Sequence, residues 1–161
     1  MRKMRRSEFV TYLDITPEQE NMTFKILGVG ITDLSIAYNP NVESEKWIIE
    51  DVARHIHESN EKTASVSQSI YVDEPCYEFV EGGLDKLNYK THILNINSAK
   101  EISDGVFKAD LSDGLISITN YMGENATIEY DLYWEGDKTP GTVSFDSSGN
   151  PVFTPDAPVS L

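Results

Sequence analysis

The sequence predicts a mainly β domain: a two-sheet β-sandwich or barrel-like fold with one flanking α-helix at about 74–88 and a long loop at about 39–62. Three observations lead there. Short runs with period-two alternation recur along the chain, separated by Gly, Pro, Asn and Asp. Only one stretch, opening at Asp73-Glu74-Pro75, carries helical spacing. The 161 residues are 39% hydrophobic, enough for one core and close to the size of a single domain, so 1–161 reads as one unit.

Residues 1–22 read as an N-terminal arm. Arg2, Lys3, Arg5 and Arg6 make it basic, while Ser7 to Tyr12 offers no apolar segment of the kind a signal peptide needs. The arm is either solvated or docked on an acidic surface of a neighbouring copy. Thr23 to Leu27 is the first expected strand, closed by Gly28-Val29-Gly30. Leu34 to Tyr38 alternates as a half-buried strand, and Asn39-Pro40-Asn41 turns the chain. Lys46 to Glu50 is a further strand candidate. Asp51 to Lys62 is charged and unpatterned, as in an exposed loop.

Thr63 to Val72 places Ala64, Val66, Ile70 and Val72 on one face and Ser65, Ser67, Ser69 and Tyr71 on the other, with Gln68 interrupting the apolar row. Asp73 then reads as a helix cap, with Pro75 in the first turn. Tyr77, Val80, Leu84 and Leu87 continue the helix to Asn88, bent or divided at Gly82-Gly83. Strands follow at Thr91 to Asn97, Val106 to Leu111 and Leu115 to Met122, the last two joined by a hairpin turn at Asp113-Gly114. Ala126 to Trp134 alternates strictly, with Ile128, Tyr130, Leu132 and Trp134 opposite Thr127, Glu129, Asp131 and Tyr133. Thr142 to Phe145 and Val152 to Thr154 flank a last turn, and 156–161 reads as a loose tail.

Charge narrows the function. Acidic residues number 27 against 13 basic, for a net charge of −14, which argues against broad affinity for nucleic acid. No run approaches the roughly 20 apolar residues of a membrane helix. Cys76 is the sole cysteine, so no intrachain disulfide forms, and its apolar helical context suits a small buried hydrophobe better than a nucleophile. His55 and His57 are two apart and would share a face on a strand, but no cysteine lies nearby, and His92 stands alone on its strand, so no zinc spacing emerges. The acidic turns lack an EF-hand pattern, Gly28-Val29-Gly30 does not extend to a phosphate loop, and no nucleophile elbow occurs. The expectation is a non-enzymatic protein without cofactor or metal. Glu129 and Asp131 are the notable polar pair, either a solvent-facing strand face or part of a wall of one charge sign formed when sheets join edge to edge.

Several segments, in order, resemble one family. They are Gly30 to Pro40 (GITDLSIAYNP), Glu43, Trp47 to Asp51 (WIIED), Ser65 to Tyr71 (SVSQSIY), Asp73-Glu74-Pro75 with Tyr77 and Phe79, Tyr130-Asp131-Leu132, Glu135-Gly136-Asp137, Gly141 to Phe145 (GTVSF) and Phe153-Thr154-Pro155. Together, over about residues 28 to 155, they are similar to the major tail tube proteins of long, non-contractile-tailed bacteriophages. None is a catalytic fingerprint.

The resemblance implies a structural virion protein of the phage tail, assembled in the host cytoplasm. It would form hexameric rings stacked into a tube for genome delivery. Inner sheets of neighbouring subunits would join into one barrel, and the loop would reach the adjacent ring. The residues in that position are Asn39, Pro40, Glu43, Trp47, Glu50, Asp51 and Arg54. Glu129 and Asp131 become candidates for the lumen wall, where like charge keeps DNA from adhering as it passes without specific binding. Implied partners are the chain itself, the tape measure protein, and the tail terminator and distal tail proteins, with no membrane. The competing expectation is a monomeric β-sandwich module that binds carbohydrate or another ligand through exposed aromatics.

Overall fold

The computed structural model describes residues 1–157. A short 3-10 turn, Arg6–Glu8, leads into strands β1 (Phe9–Asp14), β2 (Phe24–Ile26), β3 (Pro40–Glu45), β4 (Arg54–Asn60) and β5 (Thr63–Ser69). Helix α1 (Pro75–Glu81) follows, then β6 (Tyr89–Ser103), β7 (Val106–Tyr121), β8 (Thr127–Phe145) and β9 (Pro151–Pro155). Seven strands form one antiparallel sheet in the order β2-β1-β6-β7-β8-β5, with β9 on the far part of β8. β3 and β4 form a separate two-stranded sheet. The fold is mainly β with one helix, as the alternation predicts.

The sheet rolls up. Its two ends, β2 and β5, are brought together by the segment that leaves β2. Gly30 O accepts from Ser69 N at 2.9 Å, and Ala37 bridges Thr63, so residues 30–37 cover the free edge of β5. Gly30 is needed there: its φ is +80°, and a Cβ would lie 2.3 Å from Ser69 O. Leu34 to Tyr38 therefore is not a regular strand. It guards an edge through one bridge.

The core has two parts. Leu13, Ala64, Val66, Val80, Ile93, Ile128, Tyr130, Leu132 and Trp134 fill the larger one beneath α1. Phe24, Leu94, Ile96, Ala109 and Val143 form the smaller one. β6 and β8 contribute to both, since Ile93 belongs to one and Leu94 to the other, and Leu132 and Val143 divide likewise. In β6 the two neighbours point to opposite faces of the sheet, whereas in β8, a strand of 19 residues, the two positions lie far apart along the strand.

The long strands β7 and β8 overturn two expected breaks. Asp113-Gly114 is not a hairpin turn but lies inside β7, opposite Glu135 and Trp134 of β8. The glycine serves packing: a Cβ there would meet Ile93 Cδ1 at 2.7 Å. The true turns sit at Asp104-Gly105, between β6 and β7, and at Met122 to Ala126. Likewise 127–145 is one strand, with Gly136 at φ +68° inside it, and not two separate runs.

Other boundaries moved as well. The N-terminal arm is shorter than 1–22, because β1 pairs with both β2 and β6 within the main sheet. The helix covers only Pro75–Glu81, not 74–88. After Glu81 the amides of Gly83 and Leu84 bond to Val80 O and Glu81 O in tightened turns, and Asp85 and Asn88 take positive φ. Glu74, not Asp73, is the cap: its carboxylate accepts from Cys76 N at 3.2 Å and Tyr77 N at 2.7 Å. The expected loop 39–62 is largely exposed, as expected for 51–62, but it is a β-hairpin, and Lys46 to Glu50 lies in its tip, not in a strand. Pro155 ends β9, and of the expected loose tail 156–161, residues 158–161 lie outside the described residues.

Candidate assembly surfaces

The hairpin is the most exposed element of the chain. All six residues of β3 and all seven of β4 are solvent-exposed. Pairing runs from Pro40↔Asn60 to Glu45↔Arg54, with a bulge at Asn41/Val42. Asn39 anchors its base: at φ 44°, its side-chain amide donates to Glu61 O at 2.9 Å and to Thr63 Oγ1 at 3.0 Å.

The tip carries a small ordered cluster. The Arg54 guanidinium stacks 3.9 Å from the centre of the Trp47 ring and donates through Nε to Glu50 Oε2 at 3.1 Å. Trp47 Nε1 donates to Glu45 Oε1 at 3.1 Å. Three of the seven loop candidates, Trp47, Glu50 and Arg54, thus converge. Asn39 and Pro40 lie at the base, Glu43 pairs opposite Ile56 within the hairpin, and Asp51 is exposed at the tip. Beside the cluster Ile48 is 102%, Ile49 85% and Val52 77% exposed. A two-stranded hairpin is marginal in water on its own, and apolar tips favour burial.

The second surface is the face of β5, β8 and β7 turned away from the core. Ile128, Tyr130, Leu132 and Trp134 are buried, so strand geometry puts Glu129 and Asp131 on the opposite side. Ser65 and Ser117 flank Asp131 in register, while Ser67 and Asn120 flank Glu129. Ser65 Oγ donates to Asp131 Oδ1 at 2.9 Å, and Thr119 Oγ1 to Glu129 O at 3.2 Å. The result is a strip of hydroxyls, amides and two carboxylates with no basic residue in register with either acid.

This strip is braced from behind. Tyr130 OH donates to Gln68 Oε1 at 3.1 Å. Gln68 Nε2 donates to Glu74 Oε2 at 3.1 Å and to Val29 O at 2.9 Å. The residue that interrupts the apolar row of β5 therefore joins β8, the helix cap and the edge-covering segment in one satisfied network. Burial pushes the Tyr130 phenol well above its ordinary value, so it stays a neutral donor.

Sequence reasoning missed one pair. His92 is not alone: its Nδ1 lies 2.8 Å from Asp14 Oδ2, and Asp113 Oδ1 lies 3.5 Å from Nε2. Asp14 and His92 are 78 residues apart, and no local pattern joins them. His57 Nε2 instead contacts Asn60 Oδ1 at 2.6 Å within the hairpin. Among the described residues, no group of three His, Cys, Asp or Glu side chains converges as metal ligands. Cys76 is fully buried, and its thiol, donating toward Ile26 O at 3.2 Å, is pushed up to about 12 by burial and by Glu74.

No protein-family model matches this chain, and no curated protein matches it.

Proposed function

We propose that this chain is a structural, non-enzymatic subunit that assembles into stacked rings, forming a phage-type tail tube through which DNA passes. The observation that carries this reading is the hairpin: an ordered β3–β4 pair that is exposed along its whole length and ends in Trp47, Ile48, Ile49 and Val52. The exposed apolar tip of such an element gains stability by meeting another surface. The resemblance of residues 28 to 155 to tail tube proteins supplies that surface as the next ring. The strip bearing Glu129 and Asp131 suits a lumen wall, since carboxylates among hydroxyls offer phosphate no cation, so DNA keeps its counterions and does not adhere. Further partners on this reading are the tape measure protein and the tail's terminator and distal proteins, and the site of action is the virion tail. No cofactor is required.

Mass in solution tests it. Sedimentation velocity across a concentration series, with negative-stain microscopy of the concentrated sample, should give rings or hollow tubes. A strict monomer throughout overturns the reading in favour of a monomeric binding module.

A further inference from the structure

The hairpin needs a receiving surface, and the same chain carries one. An open groove of about 690 Å³ runs between the N-terminal arm and the segment that covers β5, lined by Lys3, Met4, Arg5, Phe9, Leu34 and Ile36. It is held in shape by Arg6, which donates to Phe9 O at 2.6 Å and to Leu34 O at 2.8 Å. The Arg2–Glu8 ion pair, at 2.6 Å, folds the start of the arm back on itself. Groove and tip match in chemistry. The groove is apolar inside and rimmed by cations; the tip is apolar at Ile48 and Ile49.

The charges complement each other too. Residues 40–61 carry Glu43, Glu45, Glu50, Asp51, Glu58 and Glu61 against only Lys46 and Arg54. The arm carries four of the chain's 13 basic residues and only Glu8 as counter-charge. In a protein of net charge −14, an acidic hairpin is repelled by most of another copy's surface and attracted to this one. We propose that the groove between residues 3–9 and 34–36 receives the hairpin tip, residues 47–52, of a second copy of this chain. This rests on the self-assembly reading and adds to it the identity of the contact: apolar insertion of the tip, oriented by Lys3 and Arg5 facing the hairpin's carboxylates. Arg6 is already committed to carbonyls at the groove and shapes it.

Cysteine pairing tests the contact directly, because the native Cys76 is buried and does not compete. Full-length Ile48→Cys and Met4→Cys proteins are mixed under assembly conditions and mildly oxidised. A disulfide forms only where the two Cα atoms come within about 7 Å. The expected result is a covalent dimer from this pair and none from Ile48→Cys mixed with Ser148→Cys. In parallel, Lys3→Glu/Arg5→Glu should lose assembly while keeping its thermal midpoint, and adding Glu43→Lys/Asp51→Lys should restore it. Tubes that form without the Ile48–Met4 dimer, or that survive Lys3→Glu/Arg5→Glu, overturn the groove and leave self-assembly standing. A chain that never associates overturns both.

Discussion

The carboxylate of Asp14 and the imidazole of His92 are joined across β1 and β6 at 2.8 Å, just past the last paired residues, Leu13 and Ile93. Asp14 is fully buried, and its Oδ2 faces His92 Nδ1. The other oxygen of Asp14 accepts from the amides of Thr16 and Thr23, both at 3.0 Å, closing the loop between β1 and β2. One side chain thus fixes a turn and a strand pair.

Asp14→Ala should lower stability by about 3 kcal/mol, since it strands two backbone amides and leaves an imidazole nitrogen without its partner at a partly buried site. Asp14→Asn should cost less, because its remaining oxygen can still accept from both amides. Urea unfolding of the two variants checks the order; equal losses would mean that the amide bonds contribute little.

Trp134 is 9% exposed and closes the apolar row of β8, with its amide bonded to Lys62 O at 3.0 Å. Trp134→Ala should cost roughly 3–5 kcal/mol through the cavity it leaves. A shift of the thermal midpoint by only a degree or two would contradict that packing.

Cys76 gives a pH signature with a definite sign. Burial raises the folded-state thiol from its ordinary 9.0 to about 12, so the fold favours the protonated form. That contribution is complete below pH 9 and is lost as pH rises from 9 towards 12. The native protein should resist thiol reagents at pH 8, and the urea midpoint should fall above pH 9 less steeply in Cys76→Ala. Rapid labelling under native conditions would show that the site opens readily.

Replacing Pro40–Asn60 with two glycines should leave the body folded, because the hairpin ends lie together: Glu61 N donates to Asn39 O at 3.4 Å. The same variant should no longer form tubes. Removing only Val52 to Asn60 is a poorer probe, since it takes β4 away from β3 and leaves an unpaired strand. Tubes from the glycine variant would exclude the hairpin from assembly.

Glu129→Lys/Asp131→Lys should leave the domain folded, since both side chains are only half-buried on the face turned away from the core, with the loss of one bond from Ser65 Oγ. In assembled tubes it should slow passage of DNA at low salt and recover at high salt, as added phosphate contacts are screened. An unchanged ejection rate at low salt would place the strip away from the lumen.

Alternation in the sequence determined which side chains of β5 and of the first half of β8 face inward, because the period-two rule needs no knowledge of the partner strand. It likewise determined the mainly β class, the helix opening near Asp73-Glu74-Pro75, and the exposure of most of residues 51–62. Tertiary structure decided the rest. Asp113-Gly114 has the local chemistry of a turn, yet bonding on both sides, to β6 and β8, keeps it extended, and Ile93 occupies the space a Cβ would need. The arm's Phe9 to Asp14 shows no clear strand pattern alone, since its partner in register is β6, some 80 residues away. Leu34 to Tyr38 has a strand's pattern but meets only the edge of β5 at Ala37. The Asp14–His92 pair and the groove facing Lys3 and Arg5 belong to the same category. Periodicity is a property of one segment, whereas pairing, edge closure and charge complementarity exist only between segments that folding brings together.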